Sequence, residues 1–119
     1  MTRSRKSARA AGTRFERSIA DALAEHVDDR IDRRVKTGNK DRGDIGGVRH
    51  RGNRLVIECK DVSRLNLAGW VDEANTERGN DDALLGVVIH KRRGHGDPLD
   101  QYVTMTVRDL IALLTGSRP

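Results

Sequence analysis

The chain is short of the residues that staple, span or stack. Among its 119 residues there is one cysteine, Cys59, which excludes an internal disulfide and any multi-cysteine zinc site. One Phe, one Trp and one Tyr are too few to lead one to expect an aromatic platform for unpaired bases. No run of about 18 apolar residues occurs, so no membrane span is expected. The basic N-terminal stretch lacks the apolar segment of a signal peptide. Together with the lone thiol, this sets the expectation of an intracellular, cytoplasmic protein. No repeat and no linker divides the sequence, and its length suits one domain that buries a workable core without disulfides or metal.

What the sequence does have is charge. Charged residues make up 34% and apolar residues 35%, and the apolar ones come in ordered runs, as in a folded domain. The net charge is +5 and the isoelectric point near 10.0, which makes a polyanion the natural partner. Arg3, Arg5, Lys6, Arg9, Arg14 and Arg17 crowd the start, and Lys91, Arg92 and Arg93 form a second cluster. Lys40 and Thr37 stand in a polar loop between them. Such groups contact phosphates without reading sequence; the plainer alternative is a solubilising tail and a solvated loop.

Residues 1–11 read as a flexible basic arm and residues 12–119 as a single domain. From Gly12 to His26, Phe15, Ile19, Leu23 and Val27 recur every four positions, one face of an amphipathic helix. Residues 31–37 suit a short edge strand. Asp44–His50 and Arg54–Lys60 flank the turn-forming Arg51-Gly52-Asn53 and read as a β-hairpin. Leu67–Arg78 follows as a helix using Leu67, Trp70, Val71 and Ala74. The run Leu84-Leu85-Gly86-Val87-Val88-Ile89 suits a central strand buried on both faces. Residues 92–98 form a Gly-rich loop, residues 101–106 alternate like a strand, and Thr106 with Asp109 opens a last helix that Gly116 ends. The predicted order is α-β-β-β-α-β-β-α, an α/β sandwich on one mixed sheet of about five strands flanked by helices.

The hairpin carries the chemistry. With its turn centred near Gly52, Asp44 lies opposite Lys60 and diagonal to Glu58, and all three project to one face. Ile45, Ile57 and Cys59 then point into the core. A slip of one residue would spoil this, and the sequence leaves the register open. Two adjacent carboxylates repel each other and favour a hard divalent cation such as Mg²⁺, which polarises a phosphoryl oxygen and acidifies bound water. A neighbouring lysine positions or helps to activate that water and stabilises developing negative charge. Asp41, three residues before Asp44 in an irregular loop, is the weaker alternative as a ligand. Cys59 reads as a small core residue, since no histidine is placed to activate it. The scattered His26, His50, His90 and His95 show no zinc spacing. Trp70 is either core or an interface residue.

Gly43-Asp44-Ile45, a turn, and Val56-Ile57-Glu58-Cys59-Lys60 resemble the PD-(D/E)XK nuclease superfamily, and within it the small Holliday junction resolvases of archaeal and phage type. Asp44 matches the first acidic position and Glu58-Cys59-Lys60 the (D/E)XK element. Glu16 matches the acidic residue those resolvases carry on the first helix. The resemblance implies a restriction-endonuclease-like core and an Mg²⁺-dependent endonuclease, with Mn²⁺ able to substitute. It implies a homodimer acting on branched or four-way-junction DNA, with catalytic Glu16, Asp44, Glu58 and Lys60. The metal would be held by Asp44, Glu58 and the backbone carbonyl of Cys59. Gly43 departs from the family's proline, and the second helix lacks the Gln-x-x-x-Tyr pattern of the exonuclease branch. Two other readings stay open on the residues alone: a nuclease for another DNA substrate, and a non-catalytic basic DNA-binding protein.

Overall fold

The computed structural model describes residues 4–36 and 38–119. Arg3 and Thr37 lie outside the described residues. Helix α1 (Arg5–His26) begins about two turns before the expected Gly12. The Ser4 hydroxyl accepts from the Ser7 N–H at 3.1 Å, which satisfies one of the free donors of the first turn. Arg, Lys and Ala, all strong helix formers, fill the next positions. Ala11 already packs in the core, and residues 5–11 are part of the helix. Arg5, Lys6 and Arg9 sit exposed on its first turns. Buried Ala11, Phe15 and Ile19 recur at intervals of four, joined by Ala20, while Val27, at the helix end, is exposed.

The strands are β1 (Asp32–Arg33), β2 (Ile45–Gly46), β3 (Arg49–His50), β4 (Asn53–Lys60), β5 (Leu85–His90) and β6 (Tyr102–Thr104). Helix α2 (Leu67–Asn80) connects β4 to β5, and α3 (Val107–Thr115) ends the chain. The sheet runs β1-β2-β4-β5-β6, with β3 also on β4. It is mixed: β4 and β5 are parallel, as a helical crossover requires, and the other pairings are antiparallel. All six residues of β5 are buried, as its unbroken apolar run predicts. Phe15, Ile19 and Ala20 of α1 and Ala112 of α3 pack with Ile45, Ile57, Cys59, Leu85, Val87 and Ile89 on one face. Trp70 and Ala74 of α2 cover Val88 on the other. The central sheet is thus flanked by helices on both sides. No helix among the described residues is long and apolar enough to cross a membrane.

The hairpin forms with a register that differs from the expected one. Arg51 and Gly52 both have positive φ, 51° and 81°, and His50 pairs with Asn53, a two-residue turn whose twist suits the flanking strands. The first arm is then interrupted between β3 and β2. Arg49 pairs with Arg54 but Ile45 with Ile57, so the first arm carries one extra residue, a bulge. Asp44 therefore comes beside Glu58 rather than opposite Lys60. Because the offset is two residues and not one, the alternation survives: Ile57 and Cys59 stay in the α1-side core and Glu58 and Lys60 stay on the α2 side.

Candidate metal centre

Asp44 stands where β2 stops short of the end of β4. Its N–H donates to the Ile57 carbonyl at 2.9 Å, and its Oδ2 accepts from the Cys59 N–H at 2.8 Å. The carboxylate thus takes the place of the strand carbonyl that β2 no longer supplies. Gly43, just before it, is fixed by two constraints. Its φ is +94°, and a Cβ there would lie 2.9 Å from Val56 Cγ1 and 3.0 Å from the Ile57 carbonyl. Proline, locked near −65°, has no access to that conformation. The departure from the resembled motif is therefore a requirement of this backbone.

Glu58 sits next door on β4, 5% exposed, with Oε2 receiving no hydrogen bond. The residue that meets it was not anticipated. Glu77 of α2 is 1% exposed and neither of its carboxylate oxygens has a donor. Helix α2 presents Trp70, Ala74 and Glu77 to the sheet, the i, i+4, i+7 stripe of a buried helix face. It lies close to β5 at Gly86, where a Cβ would come 2.7 Å from the Ala74 carbonyl. One oxygen each from Asp41, Glu58 and Glu77 lies within 4.8 Å of the other two. Asp41 reaches this point because the Asn80 amide of α2 donates to its carbonyl at 2.8 Å and its own Oδ1 accepts from the Gly43 N–H at 2.9 Å.

The electrostatics follow from this crowding. Burial first, then the closeness of Glu77 and Asp44, pushes Glu58 up to about 12. Burial, opposed by the neighbouring Glu58 and assisted by Asp41 and Asp44, raises Glu77 to about 7. Glu16 is also raised, by burial and by Asp44, although Arg33 donates to its Oε2 at 3.2 and 3.0 Å. Burial pushes the Cys59 thiol up, with the surrounding carboxylates adding to it, so this core cysteine is no nucleophile. Lys60 behaves differently. Burial lowers it, but the 2.8 Å bond to Glu73 Oε2, with Glu58 Oε1 3.9 Å away, leaves it raised overall. It stays an ammonium.

The buried oxygens of Glu58 and Glu77 that lack donors, clustered with an oxygen of half-buried Asp41, are what a divalent cation satisfies. Oxygens on opposite sides of Mg²⁺ lie about 4.2 Å apart, and about 5 Å apart around Ca²⁺, so a spread within 4.8 Å suits such an ion with little movement. The residues present fit a hard divalent metal. The structure therefore brings Asp44 beside Glu58, Lys60 beside Glu58, and Glu16 beside Asp44. It adds Glu77, and it moves Asp41 from a minor alternative into the three-carboxylate group. The signal for Glu77 was in the sequence: an acid continuing the apolar stripe of Trp70 and Ala74. Asp41 was only the weaker alternative to Asp44, because a contact with Asn80, 39 residues away, places it.

Of the basic residues, Lys40 is exposed near Asp41, and Arg93 is exposed and donates to the Ser63 carbonyl at 2.7 Å. Lys91 and Arg92 are half-buried. Trp70, left open between core and interface, is 8% exposed and packs against Ala74 and Val88. No protein-family model, curated protein or solved structure matches the chain. The architecture and the acidic cluster are those of a small α/β domain consistent with a nuclease-like fold in general, with a site able to coordinate a divalent metal.

Proposed function

We propose that the chain is a Mg²⁺-dependent endonuclease that hydrolyses phosphodiester bonds in branched DNA, most like a Holliday junction resolvase, and that it acts as a homodimer. The observation that carries this reading is the group Asp41, Glu58 and Glu77, in which one oxygen of Glu58 and both of Glu77 are buried without donors, beside a lysine that remains charged. A divalent cation held there supplies a Lewis acid and an acidified water. Lys60 contributes what a fixed ammonium can: it binds a non-bridging phosphate oxygen and stabilises the charge that develops on it. Its raised pKa argues for that role over removal of a proton from water. Glu73 aims Lys60 from α2. Asp44 holds the end of β4 and shares its field with Glu16 and Glu58.

The basic first turns of α1 and the Lys91–Arg93 cluster support a phosphate backbone as partner. The exposed Val107, Leu110, Ile111 and Leu114 of α3 offer an apolar face for a second copy. The test is a labelled four-way junction incubated with Mg²⁺. Paired nicks near the branch are expected from the wild type, and none from Glu58→Ala or Lys60→Ala. Cleavage that survives these substitutions would remove the site assignment. Linear duplex cut as fast as the junction would remove the junction preference while leaving the nuclease. Calorimetry with Mn²⁺ separates a non-catalytic DNA-binding protein, which predicts no heat dependent on Glu58.

A further inference from the structure

A cleft of about 810 Å³ opens directly beside Lys60. With so few aromatics in the sequence, no stacking surface was expected. Yet the only Trp and the only Tyr of the chain both line this cleft, with His90 between them. The Trp70 and His90 ring centroids are 5.4 Å apart and those of His90 and Tyr102 are 5.7 Å apart. The Arg92 guanidinium lies 5.4 Å from the Tyr102 centroid. Lys91 and Arg93 also line the cleft, and no Asp or Glu does. Lys91 and Arg93 donate to the carbonyls of His95 and Ser63, which are neutral acceptors. His90 is held by Thr104 Oγ1, 2.7 Å from its Nε2, and Tyr102 is half exposed.

An apolar and aromatic floor with a purely cationic rim calls for a ligand that combines an anion with a flat π-face. We propose that this cleft receives an unpaired nucleotide of a DNA strand, its base against the half-exposed Tyr102 and its phosphate against Arg92 and Arg93. The proposal rests on the nuclease reading, since Lys60 lies on the wall shared with the metal centre. It deepens that reading by naming the feature of the substrate that is recognised. A base within an intact duplex has both faces stacked and offers none to the cleft. A base at a branch or flap is freed at little cost. Selection for branched DNA then arises from the nucleotide next to the scissile phosphate and needs no contact with the rest of the junction.

Trp70, as the sole tryptophan, reports on the cleft through its own fluorescence. In EDTA, the full chain is titrated with an eight-residue oligothymidylate and with a blunt duplex of the same length. The single strand is expected to quench Trp70 emission saturably and the duplex to leave it unchanged. Tyr102→Ala is expected to raise the Kd for the single strand about tenfold, the size of effect seen when a stacking residue is truncated. Tyr102→Phe is expected to stay near the wild-type value. Because Tyr102 is half exposed, both variants should fold, and circular dichroism checks this. An unquenched Trp70, equal quenching by duplex, or an unchanged Kd in Tyr102→Ala would overturn the cleft assignment. Neither metal nor turnover enters the measurement, so the two readings fail separately. Quenching in a chain that neither binds Mn²⁺ nor cuts DNA would keep the cleft and remove the nuclease. Cleavage without quenching would remove the cleft alone.

Discussion

Asp44 and Cys59 are joined by a 2.8 Å hydrogen bond in which a carboxylate oxygen occupies the place of a strand carbonyl. The bond lets β4 extend past the end of β2 without leaving a backbone donor unpaired, and it fixes the carboxylate between Glu16 and Glu58. Structure and electrostatics thus meet in one side chain, and two substitutions separate them. Asp44→Ala leaves the Cys59 N–H without a partner and is expected to cost about 1–3 kcal/mol of stability. Asp44→Asn keeps an oxygen acceptor and should lose much less. Both are expected to lose most junction cleavage. Urea unfolding beside the cleavage assay checks the pair; equal stability of the two variants would contradict the bridging role.

Glu77 is costly to keep ionised in the metal-free protein, since burial raises it to about 7 and neither of its oxygens has a donor. Glu77→Gln is expected to stabilise the metal-free chain at pH 8 by on the order of 1–3 kcal/mol, as relief of an uncompensated buried charge does. It should also weaken Mn²⁺ binding at least tenfold, since loss of even an outer-shell partner has effects of that size. Thermal unfolding in EDTA and calorimetric titration measure the two effects. A variant that binds Mn²⁺ as tightly as wild type would exclude Glu77 from the metal group.

The raised carboxyls also set a direction for the pH dependence of stability. Unfolded, Glu58 and Glu77 titrate near 4.5; folded, Glu77 holds its proton to about 7 and Glu58 to about 12. Above pH 4.5 the native state therefore binds more protons than the unfolded one, and stability falls as pH rises. The contribution of Glu77 is lost by about pH 7, while that of Glu58 goes on falling above it. Metal-free protein should be more stable at pH 5 than at pH 8. Added Mn²⁺ should stabilise it more at pH 8, where less proton release opposes binding. Denaturant midpoints at the two pH values, with and without metal, give the sign directly.

Gly43→Pro would restore the proline of the resembled motif and is expected to destabilise the protein by roughly 3 kcal/mol or more, because φ at this position is +94°. Gly43→Ala should also be harmful, given the 2.9 Å approach of its Cβ to Val56. Thermal denaturation of both variants is the measurement, and a neutral proline would show that this turn adopts another conformation.

Sequence periodicity was enough to find most elements. The run from Leu85 to Ile89 marked the buried central strand, Thr106 and Gly116 bounded α3, and the charged Glu58 and Lys60 alternated with Ile57 and Cys59. These are local signals: side-chain alternation in a strand and capping at a helix end depend on neighbours within a few residues. The start of α1 was missed because a basic, alanine-rich stretch reads as a solvated arm until a cap such as Ser4 and a buried face at Ala11 show otherwise.

The sequence by itself determined that Glu58 and Lys60 share a face, that Cys59 packs behind them, and that Asp44 lies on the adjoining arm. Only the tertiary structure decided which acids meet. A bulge shifted Asp44 from Lys60 to Glu58, Asn80 drew in Asp41, and the docking of α2 at Gly86 brought Glu77 onto the sheet. Register and helix docking are set by packing between segments distant in the chain, and spacing along one segment carries no record of them.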